Sequence, residues 1–237
     1  MDSRMIINKN RFLLLIIVIL LGVSLSACAP KMVTKGGKFP LLYQEAPASI
    51  LILPPMNEST AAEAKDYYAT TIQEPLSFRG YYVFPYEITT ELLKMEGIYD
   101  SELIKDVPLQ KFREYFGADA VLFTTIKKWN LAYMVLAANL TISIDCELKS
   151  TKSNVVLWRY TGTVVVDLSG GNPGGVAGLL VKAVVAAVNS AMADYVPHAR
   201  AANYMALNTM PYGKYHELYG KDREHQFIEQ IQPQPQQ

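Results

Sequence analysis

The sequence predicts an α/β (α+β) fold, with a single mixed β-sheet covered by helices. Three observations carry this. Leu140, Ile142, Ile144, Cys146 and Leu148 alternate with Thr141, Ser143, Asp145, Glu147 and Lys149, the period of a strand with one dry and one wet face. Ahead of that strand, short apolar runs alternate with helical stretches, and a polar turn and a further strand follow it. With 50% hydrophobic residues in 237, the chain can build one substantial core.

The first element is an apolar run from Phe12 to about Leu25. As a helix it would measure roughly 20 Å, short of a ~30 Å hydrocarbon core. Arg4, Lys9 and Arg11 precede it and small residues follow, which is the layout of a secretory signal peptide. Its end, Leu25-Ser26-Ala27-Cys28, resembles the bacterial lipobox. That resemblance implies cleavage between Ala27 and Cys28, a diacylglyceryl group on the Cys28 sulfur and acylation of the new amine. Each buried CH₂ contributes about 0.8 kcal/mol, so two or three chains anchor a protein without a transmembrane helix. Ala29 is not the aspartate that retains many enterobacterial lipoproteins at the inner membrane, which points to the outer membrane, facing the periplasm, and leaves surface exposure open.

Removal of residues 1–27 takes Arg4, Lys9, Arg11 and Asp2 with it and leaves 19 basic against 21 acidic side chains. This balance has no electrostatic footprint for nucleic acid. With Cys28 given to lipid, Cys146 has no partner for an internal disulfide.

Residues 28–47 read as a lipidated tether, because glycines and prolines interrupt them. The domain is expected over 48–209. Ser49–Leu53 is a buried strand closed by Pro54-Pro55, and Asn57 and Ser59 precede a helix over Thr60–Gln73. Pro75 is expected to kink that helix or start a new turn, and Gly80 to end it. Tyr81–Phe84 is a second strand, Glu87–Glu96 a helix stopped by Gly97, and Pro108–Phe116 another stopped by Gly117. Val121–Trp129 is a third strand, and the alternating strand forms a hairpin with Val155–Asp167 through the turn at 151–154. A glycine-rich connector leads to an apolar helix over Val176–Val196, with a further helix over Ala199–Leu207. The wide apolar face of the long helix needs a cover, either the segment 199–207 or a second copy in a C₂ dimer. Residues 210–237 are expected as a tail, partly disordered.

Catalytic motifs are scarce. The glycine-rich stretch 170–178 has neither P-loop nor dinucleotide spacing, and no G-x-S-x-G elbow occurs. Cys146 alternates with Ile144 and Leu148, the place of a buried small hydrophobe. His216, Glu217, Asp222, Glu224 and His225 match no helical two-histidine metal motif and read as a solvated tail. No catalytic residue, metal or cofactor is expected. Tyrosine stands out, with 15 in the chain. Such side chains combine apolar area with a polar tip, so Tyr212, Tyr215 and Tyr219 are candidates for contact with a partner. Tyr81 and Tyr82 should face opposite sides of their strand.

The stretches "ILILPPMNES", "PLSFRGYYVFP", "FREYFGADAVLF", "LWRYTG" and "YGKYHELYGKD" resemble a family of bacterial lipoproteins of unknown function, typified by a neisserial genome-derived antigen. The resemblance spans essentially the whole chain after Cys28. It implies a fold like the N-terminal domain of TolB, shared with the periplasmic part of the curli-channel lipoprotein and with a lipoprotein activator of peptidoglycan synthases. It also implies other envelope lipoproteins as partners, among them one of the curli-channel type, and carries no catalytic residues. The expected function is a non-enzymatic binding or assembly component of a cell-envelope complex. The alternative is an envelope enzyme such as a cell-wall hydrolase, or an activator of a peptidoglycan synthase.

Overall fold

A computed structural model describes residues 31–99, 101–134, 137–167 and 196–229. The signal peptide, Ala27 and Cys28, the glycine-rich stretch and most of the expected long helix lie outside the described residues. The described elements are β1 (Met32–Thr34), α1 (Lys35–Lys38), α2 (Pro40–Glu45), β2 (Ser49–Ile52), β3 (Met56–Asn57), α3 (Ala64–Phe78) and β4 (Tyr82–Val83). Then come α4 (Tyr86–Met95), a 3₁₀ turn (Ser101–Asp106), α5 (Leu109–Phe116), β5 (Ala120–Met134), β6 (Ala137–Ser150), β7 (Val156–Asp167), α6 (Val196–Leu207) and β8 (Gln226–Ile228).

The mixed sheet has the order β4-β2-β5-β6-β7, with β3 also pairing β5. Its β2, β3 and β4 pairings are parallel and the β5–β6–β7 meander is antiparallel. Register follows the alternation: Cys146 lies opposite Thr124 on β5 and Tyr160 on β7. Leu140, Ile142, Ile144, Cys146 and Leu148 are all buried. A slip of one residue would put Asp145 and Glu147 in the core, so burial fixes the pairing.

One sheet face packs against α3 and α6, where Tyr68, Ile72 and Leu76 meet Ala199, Ala202 and Ala206. On the other face, Leu51, Leu53 and Val121 pack against Leu93 of α4, Ile104 of the 3₁₀ turn and Phe112 of α5. Those helices cover the β2 side, and the same face farther along β6 and β7 carries polar side chains. Tyr81 is buried and Tyr82 exposed, as alternation requires.

Helix α3 starts at Ala64, later than Thr60, and runs through Pro75 to Phe78. Asn57 Oδ1 accepts from the Ser59 N–H at 3.0 Å and its amide donates to Ala61 O at 2.6 Å, so these residues build a turn rather than a cap. Burial of Ile72, Pro75 and Leu76 carries the helix through the proline.

The two ends of the domain depart from expectation. Residues 31–47 are not a tether: they form β1, α1 and α2, and bury Phe39 and Leu42 in the main core. Pro40 stands at the first turn of α2, where its missing N–H costs nothing. Residues 210–229 are not a loose tail. Met210 and Asp222 are buried, and β8 pairs antiparallel with β1.

Candidate functional site

The expected partner-binding tyrosines lie at the seam between these two ends. Lys35 Nζ donates to Met210 O at 3.0 Å and lies 3.3 Å from Asp222 Oδ2. Tyr43 OH donates to Asp222 Oδ1 at 2.9 Å, and the Tyr212 N–H donates to Oδ2 at 3.0 Å. Three donors compensate the buried carboxylate. Arg79, at the end of α3, donates to Met210 O at 2.8 Å and to Asn208 Oδ1 at 3.0 Å. The Tyr212 ring stacks on His216 at 3.8 Å and lies under both Lys35 and Arg79. Burial first, and then the Arg79 charge, push Lys35 down to about 8 against the pull of Asp222. Burial, and then the bond to Asp222, hold the Tyr43 hydroxyl above the usual phenol range.

Tyr212 is therefore engaged within the chain, whereas Tyr215 is 70% and Tyr219 39% exposed. Of the residues read as a solvated tail, Asp222 is instead buried in this seam, while Glu217, Glu224 and His225 are exposed. Cys28 and Ala27 lie outside the described residues. Cys146 sits in the core, 3.3 Å from Tyr68 OH, and burial pushes its thiol up to about 11. A thiol so placed is protonated and inert at neutral pH.

Two concave surfaces among the described residues are large enough to take a ligand or a partner's side chains. The first is a groove of about 790 Å³ over the polar face of β5–β7, lined by Phe123, Asp145, Glu147, Lys149 and Arg159 among others. Glu147 pairs with Lys149 at 3.0 Å and with Arg159. Burial raises its pKa, but the hydrogen bonds and charges of Lys149 and Arg159 outweigh this and hold the carboxyl below its ordinary value. It stays ionised near neutrality, the opposite of what a general acid requires.

The second is an apolar cleft of about 390 Å³ between α4 and α5, lined by Leu92, Met95, Ile98, Phe112, Tyr115 and Phe116 among others. Leu93 and Phe112 point into the core beneath it, while Leu92, Met95 and Tyr115 are exposed around it, Met95 by 80%. The nearby charges pair along their own helices: Lys94 with Glu91 at 2.7 Å and Lys111 with Glu114 at 2.8 Å. Of the charged side chains that line the cleft, Lys111 is paired and Glu96 has no ion pair among the described residues, so an apolar segment fits the wall formed by Leu92, Met95 and Phe116 with the Glu96 carboxylate left at the rim in water. The sequence reading did not single out these residues. A signal was present in the spacing of Ile88, Leu92, Met95 and Tyr99, a second apolar stripe beside the one through Thr89 and Leu93.

Among the described residues, no helix is long and apolar enough to cross a membrane. The family described as "Putative lipoprotein GNA1162-like" matches residues 39–220. A protein of Neisseria meningitidis serogroup B (strain ATCC BAA-335 / MC58), described as "Putative lipoprotein NMB1124/NMB1162", is 32% identical over 151 residues. The match covers 64% of this chain and 70% of that protein. The crystal structure of lipoprotein GNA1162 from Neisseria meningitidis is 34% identical, with 61% of this chain and all of that one covered, at a TM-score of 0.49. A PelC dodecamer structure from Paraburkholderia phytofirmans is 13% identical, with 72% of this chain and 92% of that one covered, at a TM-score of 0.37.

Proposed function

From the fact that the chain belongs to the GNA1162-like lipoprotein family, we propose that it is a lipid-anchored envelope protein that acts by binding rather than by catalysis. Cys28 carries the lipid, and the outer membrane, facing the periplasm, is its place. The α4–α5 cleft receives an apolar segment of another envelope protein, and the exposed Tyr215 and Tyr219 supply a further contact.

The observation that carries this reading is the cleft itself. Met95 and Tyr115 are 80% and 66% exposed beside a concave, mostly apolar wall, where Lys111 is paired with Glu114 and Glu96 stands at the rim. Exposed apolar surface gathered around a cleft marks a binding site more often than scattered residues do. The ionised, paired Glu147 in the polar groove weighs against a hydrolase there.

The test places a photo-crosslinking residue at Met95 in the full-length, membrane-anchored chain and irradiates living cells. A discrete adduct with a second envelope protein, lost when Leu92→Asp is added, is expected. Adducts with a second copy of the chain alone, or none at all, would overturn the reading.

A further inference from the structure

The charges around the α4–α5 cleft are not balanced. From Tyr86 to Phe116 the sequence carries seven acidic side chains against four basic ones. The rest of residues 28–237 carries 14 acidic against 15 basic, so the negative surplus of that chain lies in the stretch that builds the cleft.

All four bases are engaged. Lys94 lies 2.7 Å from Glu91, Lys105 3.0 Å from Glu102, Lys111 2.8 Å from Glu114 and Arg113 3.6 Å from Asp119. Glu87, Glu96 and Asp106 are exposed and have no ion-pair partner among the described residues. Their positions follow the apolar wall. Glu96 lines the cleft next to Met95, and Asp106 precedes the lining residue Val107. Glu87 stands in the first turn of α4, about two turns before Met95.

An apolar wall with an acidic rim selects its occupant by charge as well as by area. A segment with acidic flanks would bring like charges together at the rim. One with neutral flanks would leave the three carboxylates as they are in water. Basic flanks pair them. A single exposed pair contributes little, but three carboxylates of one sign steer the approach and fix the direction in which the segment lies.

We infer that the occupant of the α4–α5 cleft is a basic amphipathic segment. Its apolar side chains cover Leu92, Met95 and Phe116, and its lysines or arginines meet Glu96, Asp106 and Glu87. The segment is short, because the ten residues of α4 span only about 15 Å.

This inference rests on the reading of the cleft as a binding site, and its test separates the two. The full-length, membrane-anchored chain with a photo-crosslinking residue at Met95 is irradiated in living cells, and the partner peptide in the adduct is sequenced by tandem mass spectrometry. The same is done with Glu96→Lys and Asp106→Lys together, with circular dichroism reporting that this variant is folded. The expected peptide carries apolar side chains flanked by lysine or arginine, and the adduct is lost on charge reversal. An adduct through a neutral or acidic peptide of a second envelope protein, or one undiminished by charge reversal in a folded variant, would overturn the basic occupant and leave the cleft as a binding site. No adduct, or adducts with a second copy alone, would overturn both. Should the variant unfold, the peptide captured by the unaltered rim decides.

Discussion

Lys35 and Asp222, 187 positions apart, form a buried ion pair with Nζ 3.3 Å from Oδ2. This pair joins α1, near the start of the described residues, to the last segment of the domain. Through it residues 31–47 are part of the fold.

Breaking the pair from one side leaves a buried charge. Asp222→Ala is expected to destabilise the form lacking residues 1–28 by about 3–5 kcal/mol, while Lys35→Met with Asp222→Asn together should cost much less. Urea unfolding of the three proteins checks this.

The same lysine gives a pH dependence of defined sign. Its folded value, about 8, lies below its ordinary 10.5, because burial and Arg79 disfavour its charge. Between those values the folded chain holds fewer protons than the unfolded chain, so this group's contribution to stability rises with pH across the window. The penalty is fully present below pH 8. The stability of wild type relative to Lys35→Met should therefore improve from pH 8 to pH 10, measured by urea unfolding at each pH.

Two glycines at nearly equal φ should respond differently to alanine. Gly97 has φ +82 and open space around it, so Gly97→Ala should cost only left-handed strain, about 1–2 kcal/mol. Gly80 has φ +80, and an added Cβ would lie 2.4 Å from the His216 backbone nitrogen. Gly80→Ala should cost distinctly more, by thermal unfolding of both variants.

Neighbours on α4 should separate core from surface. Leu93 is buried, so Leu93→Asp strands a carboxylate in the core and should unfold the domain. Met95→Asp lies on the exposed side and should change stability by less than about 0.5 kcal/mol. Circular dichroism melting distinguishes them, and the second variant then tests the cleft in a folded protein.

The meander was legible in the sequence because alternation is a local signal: Leu140 to Leu148 reports its own burial. The ends were not. Gly36, Gly37 and Pro40 read as breakers, yet the two glycines lie in α1 and the proline starts α2. The Gly36 N–H donates to Arg223 O at 2.8 Å, a partner that no local window contains. Lys35 and Asp222 look like ordinary surface charges until the fold brings them together. The cleft was half legible. The spacing of Leu92 and Met95 announces a helix face, but only the packing of Leu93 and Phe112 beneath shows that this face is left open.

The lipid anchor is tested most directly by the mass of the protein's N-terminal peptide, taken from detergent-solubilised membranes. A lipid-anchored protein yields a peptide that begins at Cys28 and carries diacylglyceryl and amide-linked acyl groups, with no such species from Cys28→Ser. An N-terminal peptide with an unmodified Cys28, or an uncleaved precursor in wild-type membranes, would contradict it.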